Sequence, residues 1–427
     1  MGGFFMKPIL LCLSLLTTVF ANAQDINKII NTKEVERIEK VLSSDSLQGR
    51  KVFTPGIEMA ADFISSEFKK AGLKTLKGLP DYKQSFAMLK PTLISMQATI
   101  DGQTVPDGNV LIVSTKEDVS VTETSGFDTL SIGAKDNFSK LRMKAIQSDK
   151  NLVVFFDSSL KNNFKGMGRF TKQISSSSPT IIFVLTGSIP KKYSFTAKQS
   201  FEKMPLANVV GIIPGKTKPN EYVIFSGHYD HLGIGAPVNG DSIYNGANDD
   251  AAGSTAVILL AKYFKKLNNN SRTLIFVTFT AEESGGYGSQ YFSKQFNPDD
   301  VKAMFNIEMI GTESKWGKNS AYITGYEKTD MGKILQDNLK GSAFTFYPDP
   351  YTTQNLFYRS DNATLAKLGV PAHTISTSKM DNEPNYHKPS DEIGTLDMDN
   401  MAEIIKSIAI SSATIIGGKD TPTRVKE

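Results

Sequence analysis

Residues 222–253 read YVIFSGHYDHLGIGAPVNGDSIYNGANDDAAG, and residues 274–285 read LIFVTFTAEESG. Each stretch opens on a β-rich run, Tyr222–Ser226 or Leu274–Phe279, of the length expected for a short buried strand. Each then passes directly into a polar segment rich in carboxylates. Between them, Ala251–Leu267 has the apolar face of a helix. The same alternation continues in both directions. Asn208–Ile213 is β-rich, Gly286–Phe296 is helical and Ala303–Ile307 reads as a strand. Thr364–Leu368 closes a helix, Ala372–Ser376 is again a strand, and Met398–Ile416 is a long final helix. Such alternation predicts a three-layer α/β/α sandwich around a mixed, largely parallel central sheet. In sheets of this kind ligands sit just beyond the carboxyl ends of the strands, and the polar clusters fall there.

Upstream, residues 32–43 and 56–71 read as helices. In the second, Ile57, Ala60, Ala61, Ile64 and Phe68 recur at helical spacing, and Gly72 supplies a stop. From about 90 to 204 the texture changes. Short β-type runs (Asn109–Val113, Leu152–Phe156, Thr180–Leu185) are separated by polar pieces such as Ser175–Ser178. We read residues 91–204 as an inserted, smaller β-rich domain. It separates an N-terminal helical part, 24–90, from the part that carries the polar clusters, 205–427. The first 23 residues have the form of an export signal: Lys7, an apolar run from Ile9 to Phe20, then Ala21-Asn22-Ala23 as a cleavage site. The expectation is an exported chain, periplasmic or secreted after cleavage near Ala23. No later segment reaches 18 consecutive apolar residues, so no membrane span is expected in the mature chain.

The chain has 427 residues, with 48 Lys and Arg against 44 Asp and Glu, one Cys and four His. The near balance of charge offers no basic footprint, so no nucleic-acid partner is expected. Cys12 lies in the leader, which excludes a disulfide framework and any cysteine-based zinc finger. A metal site would therefore draw on His and carboxylates.

Five clusters offer these groups. They are Gly227–His231, Gly246–Gly253, Thr280–Gly285, Asn306–Gly311 and Asn385–Asp391. Two His and several carboxylates make an N/O site that suits zinc. Two metals need about six protein ligands, which His228, Asp249, Glu283, Glu308 and His387 supply if Asp249 bridges. Of the adjacent Glu282 and Glu283, one can face metal and the other a water molecule.

Taken together, the clusters resemble the co-catalytic dizinc peptidase family of bacterial leucyl aminopeptidase, aminopeptidase Y and glutamate carboxypeptidase. The resemblance covers the motifs from His228 to Asp391, and also Leu42–Leu73 with its SDSLQGR segment and Gly72. It implies two zinc ions per chain and peptide substrates. His228 then ligates one zinc, with Asp230 orienting it. Asp249 bridges, and Asp250 follows it where the family has a cis peptide. Glu282 is the general base, Glu283 the ligand beside it, and His387 the last ligand. Tyr386 matches a residue that donates to the oxyanion in some members. Glu308 is a departure, because the family usually has Asp there. The extra methylene either reaches the metal from a shifted backbone or leaves that zinc weakly held. The implied activity is aminopeptidase action by metal-activated water. A carboxypeptidase of the same family and a single-zinc, glutaminyl cyclase-like aminoacyltransferase are the alternatives. Family members often carry a protease-associated domain where this chain has residues 91–204, and Phe138–Asp157 resembles its pattern.

Other polar residues have plainer readings. His231 is expected to support the site or cap its loop, and His373 to be a satisfied core histidine. Ser360 and Asp361 open a helix near the substrate. Asp391 is either a cap or an orienting group. Arg359 and Lys388 are the nearest cations for a basic pocket.

Overall fold

Alternate residues of each central strand point to opposite faces of one sheet. Val223 and Phe225 enter one apolar cluster together with Leu274 and Phe276, whereas Ile224, Ile275, Val277 and Phe279 enter another. The chain is seen in a computed structural model that describes residues 26–426 apart from Gln147 and Ser177. The expected leader lies outside the described residues. The chain divides into two compact units: residues up to Ser85 together with Ala207 onward, and Phe86–Leu206.

In the first unit the strand order is Thr345–Pro348, Ser320–Ile323, Ala372–Ser376, Val301–Ile307, Lys218–His228, Arg272–Phe279 and the last residues of Tyr193–Ile213. The pairings among Ala372–Ser376, Val301–Ile307, Lys218–His228 and Arg272–Phe279 are all parallel. Antiparallel pairings flank them, with Ser320–Ile323 on one side and Val209–Ile213 on the other. Helices Thr32–Leu42, Pro55–Ala71, Ala252–Leu267 and Met398–Ser411 bury Ile38, Phe68, Ile258 and Ile405 in the first cluster. Tyr287–Ser293 and Asn362–Ala366 cover the opposite face with Phe292 and Leu365. The architecture is thus mixed α/β in three layers. Phe225 lies at the centre of the first cluster, stacked on Phe264, Phe276 and Phe305 at ring-centroid distances of 5.4, 5.4 and 4.9 Å.

The final helix differs from its sequence reading. It runs over Met398–Ser411, and a separate turn follows at Ala413–Ile416. The Ser411 and Ser412 hydroxyls donate back to the carbonyls of Ile408 and Ala409. Such local bonds compete with the helical ladder.

The second unit has its own sheet, ordered Val110–Val113, Ile181–Thr186, Leu152–Asp157, Asp128–Ile132, in which the last three strands are mutually parallel. Phe156 and Phe183 pack with Phe164 on one face, and Phe155 and Val184 with Val121 and Phe195 on the other. Of two long strands, Lys83–Ile100 is absent from the sequence reading, and Tyr193–Ile213 is present there only as its end, Asn208–Ile213. In the second, buried Tyr193, Phe195 and Ala197 alternate with less buried Ser194, Thr196 and Lys198. That period-two signal is interspersed with Lys, Gln and Ser, which weakens it.

Candidate metal centre

The parallel strands end together. His228 is the last residue of Lys218–His228 and pairs in register with Phe279. Glu282 and Glu283 follow Phe279 after one short turn. Ser226 pairs with Asn306, two residues before Glu308. Asp249 enters from the segment preceding Ala252–Leu267, and His387 from the loop before the final helix. Three of these positions require left-handed backbone without glycine: Ala281, Met309 and His387 have φ of 59°, 53° and 56°. Non-glycine residues pay a conformational penalty there, and such positions gather at functional sites.

Asp249 is the hub. Its Oδ1 lies 3.2 Å from His228 Nε2, and its Oδ2 lies 3.2 Å from His387 Nε2. His387 Nε2 is also 3.2 Å from Glu283 Oε1. Potential ligand atoms of His228, Asp249 and Glu308 all lie within 4.8 Å of one another, and so do those of His231, Asp249 and Glu283. The structure therefore brings together all five residues expected as ligands. It also draws in His231, which the sequence reading kept off the metal. His231 Nδ1 is 2.9 Å from Glu283 Oε1, so two imidazoles face that carboxylate.

Charge and burial fit a divalent cation. Buried His228 Nε2, Glu283 Oε1 and Glu308 Oε2 make no hydrogen bond of proper geometry, a condition that is costly for polar atoms without another partner. Burial, reinforced by the neighbouring acids Glu308, Asp361 and Glu283, raises the Glu282 carboxyl well above the usual range despite the nearby His228. Burial also raises Glu308. For Asp249, burial is outweighed by the His228 and His387 imidazoles close to its two oxygens, which hold it well below that range. His387 is opposed by burial but lifted to about 10 by Asp249 and Glu283. So many carboxylates in one buried place repel one another, and bound cations relieve this. Imidazole with carboxylate is a donor set that zinc accepts. The methylene-longer Glu308 belongs to the His228–Asp249 group.

A second set of groups holds these side chains. The Asp249–Asp250 peptide is cis. Asp250 points away from the hub: its carboxylate accepts from the backbone N–H of His228, Gly253 and Met309 at 3.0–3.1 Å. Asp230 meets His228 chiefly through its backbone. The atom nearest His228 Nδ1 is the Asp230 backbone oxygen at 3.1 Å, with the carboxylate at 3.8 Å. That carboxylate instead accepts from the N–H groups of Glu282 and Glu283, so it orients the other cluster. Asp391 accepts from the N–H of Asn248 at 2.8 Å and of Asp249 at 3.0 Å. This makes it an orienting group for Asp249. Asn306 links Ser226, Ser360 and Thr374 through bonds of 2.7–3.1 Å beneath Glu308.

Arg50, unassigned by the sequence reading, is wholly buried. Its guanidinium donates to the carbonyls of Tyr229 at 2.7 Å, Asn245 at 2.5 Å, Gly246 at 2.9 Å and also Leu42. It therefore ties the N-terminal helical segment to both loops that carry His228 and Asp249. Nothing in the SDSLQGR spacing signals this, because its partners are backbone atoms.

The hub opens into a cavity of about 620 Å³ lined by Glu282, Glu283, Glu308, Tyr322, Leu356, Arg359, Met380, Tyr386 and others. Tyr386 stacks on His387 with ring centroids 3.9 Å apart. Burial, with Asp249 and Glu283 adding to it, pushes the Tyr386 phenol upward, so it stays protonated as a donor. Lys388 turns away and donates to Pro384 O. His373 lies in Ala372–Ser376, with Nδ1 2.8 Å from Thr324 O and Nε2 2.8 Å from Thr329 Oγ1.

A mixed α/β sheet carrying a buried histidine–carboxylate centre at the ends of its parallel strands defines a protein equipped to hold divalent metal. Its residues 208–411 match peptidase family M28. Leucine aminopeptidase 1 of Aspergillus niger is 29% identical over 232 residues, which cover 52% of this chain and 58% of that protein. Aminopeptidase YwaD of Bacillus subtilis is 20% identical over 236 residues, 54% of this chain and 49% of that one. The chain thus spans about half the length of these relatives. Among solved structures, the aminopeptidase from Aneurinibacillus sp. strain AM-1 superposes with a TM-score of 0.54 at 16% identity, covering 94% of this chain and 96% of that one. BSAP, a zinc aminopeptidase from Bacillus subtilis, gives 0.52 at 14% identity, covering 93% and 98%. These two likenesses show the fold.

Proposed function

We propose that the protein is an exported zinc aminopeptidase that hydrolyses N-terminal residues from peptides. One observation carries the reading. His228, Glu283, Glu308 and His387 gather around Asp249, while Glu282 shares the cavity outside the ligand set. His228, Asp249 and Glu308 would hold one zinc, and Asp249, Glu283 and His387 a second. Zinc there would polarise the scissile carbonyl and make water a competent nucleophile near neutral pH. Glu282 takes the proton from the attacking water and delivers it to the leaving amine. The Tyr386 hydroxyl donates to the carbonyl oxygen as it gains negative charge. His231, 2.9 Å from Glu283 Oε1, holds that carboxylate in place. The family match and the aminopeptidase relatives support the reaction class, and the sequence of the leader supports export.

The test is a panel of aminoacyl-nitroanilides with and without a zinc chelator, together with Glu282→Gln. We expect chelator-sensitive release. Glu282→Gln should lower it by about 10²–10⁴-fold while bound zinc, measured by elemental analysis, stays at two per chain. Full activity in that variant removes Glu282 as the base. Cyclisation of N-terminal glutamine with no release from any substrate would replace aminopeptidase by aminoacyltransferase.

A further inference from the structure

The cavity beside the metal centre is rich in acid, yet one cation stands in its wall. Among its lining residues Arg359 is the only Lys or Arg. Its backbone is anchored, because its own N–H donates to Leu356 O at 3.1 Å and the next residue, Ser360, is bonded to Asn306 at 2.7 Å. Its side chain is not tied in the same way. Arg359 is exposed, and its guanidinium contacts Gln354 Oε1 at a long 3.5 Å. Among the described residues no carboxylate lies within ion-pair distance of it. Arg37, Arg272 and Arg424 each face a carboxylate, and Arg50 is saturated by carbonyls. The neighbouring wall formed by Tyr322, Leu356 and Met380 is largely apolar and offers no second cation.

We propose that Arg359 binds a carboxylate of the substrate. The inference rests on the aminopeptidase reading for the direction in which a peptide lies. With its amino end at the metal centre, the rest of a short peptide extends toward the exposed part of the wall. A guanidinium fork matches a carboxylate with two parallel hydrogen bonds. The carboxylate is either the C-terminus of a di- or tripeptide or an acidic side chain, and both chemistries fit the same fork.

Binding distinguishes these sources without relying on turnover. The zinc-loaded full chain carrying Glu282→Gln is titrated by calorimetry with Leu-Gly and its C-terminal amide, and with glutamyl-amide and glutaminyl-amide. We expect one charged ligand of the two pairs to bind about tenfold tighter than its neutral partner. A preference for Leu-Gly identifies the C-terminal carboxylate, and one for glutamyl-amide identifies the side chain. Adding Arg359→Gln should reduce the ratio to about one, and Arg359→Lys should restore part of it. Equal binding of charged and neutral ligands overturns the inference, as does a ratio that survives Arg359→Gln. A ratio that behaves as expected, in a wild-type protein that releases no N-terminal residue from Leu-Gly or Leu-nitroanilide, sustains the carboxylate site and rejects the aminopeptidase reading alone.

Discussion

Arg50 and Asp391 act on the metal centre through other residues' backbones. The Arg50 guanidinium serves four buried carbonyls, three of them in the loops beside His228 and before Asp249. Burial pushes the Glu39 carboxyl to about 8 even though Thr255 and Arg50 pull it down, so Glu39 is not a fully charged neighbour of Arg50 at neutral pH. Lysine has no planar fork to replace it. Arg50→Gln and Arg50→Lys should each cost about 3 kcal/mol or more, because buried carbonyls lose their donors. Denaturant midpoints of the zinc-loaded protein measure this, and midpoints equal to wild type would refute the role. Asp391→Ala should weaken zinc by about 10–100-fold, read by competition with a chromogenic chelator, since Asn248 and Asp249 lose their N–H acceptor. The Arg50 role is not legible in the sequence, which also leaves Asp391 open between a cap and an orienting group. Every residue carries a carbonyl and nearly every one an N–H, so a side chain's backbone partner leaves no compositional trace. His228, Asp249, Glu282 and Glu283 are legible because they sit in short runs at predicted strand ends.

At the scale of elements, the first turn of Ala252–Leu267 is built around an absent side chain. A Cβ on Gly253 would lie 2.1 Å from Ile307 O and 2.3 Å from Asp250 Oδ2. Helix propensity alone favours Gly→Ala by about 1 kcal/mol. Here the clash should reverse the sign: Gly253→Ala is expected to lower both thermal stability and zinc affinity, and a stabilised variant would disprove the close approach. Helix Pro55–Ala71 is joined to its neighbours through Glu67, whose buried carboxylate meets Arg37 and Lys262 at 2.6 Å and Lys70 at 2.9 Å. Burial alone would raise Glu67, but hydrogen bonds from Arg37, Lys262 and Lys70 outweigh it and hold the carboxyl at about 2. Because the folded value lies below the unfolded one, this stabilisation is complete above the ordinary Glu range. It is lost as pH falls from about 4.5 toward 2. With partly exposed partners its size is on the order of 2 kcal/mol. Wild type should therefore lose more stability than Glu67→Gln between pH 5 and 3, and parallel pH profiles would contradict the assignment.

For the whole molecule, metal and fold are linked. A cation that binds only the folded chain stabilises it, by about 2.7 kcal/mol at a hundred times its Kd. Removing zinc with a chelator should lower the melting temperature by several degrees, and added zinc should restore it. An unchanged melting temperature would count against a metal-binding centre. If the chain is exported as proposed, intact-mass analysis of the protein from the periplasm or medium should find Gln24 as the first residue. A mature form retaining Lys7 would reject cleavage.

By itself the sequence determined the strand–loop–helix order, the sheet class and the residues presented at the strand ends. These are encoded locally, in period-two and period-3.6 patterns and in the polarity of the residues that follow them. Only the tertiary structure decided that His231 stands against Glu283, that the Asp230 carboxylate serves Glu282 and Glu283, and that Arg359 faces the cavity while Lys388 does not. Those outcomes depend on distances between segments as far apart in the chain as Arg50, Asp249 and His387. Such distances are set by how the layers pack, and no local pattern records them. The same reason hid the strand Lys83–Ile100 and the first part of Tyr193–Ile213, whose polar positions become strand only when a neighbouring strand satisfies their backbone.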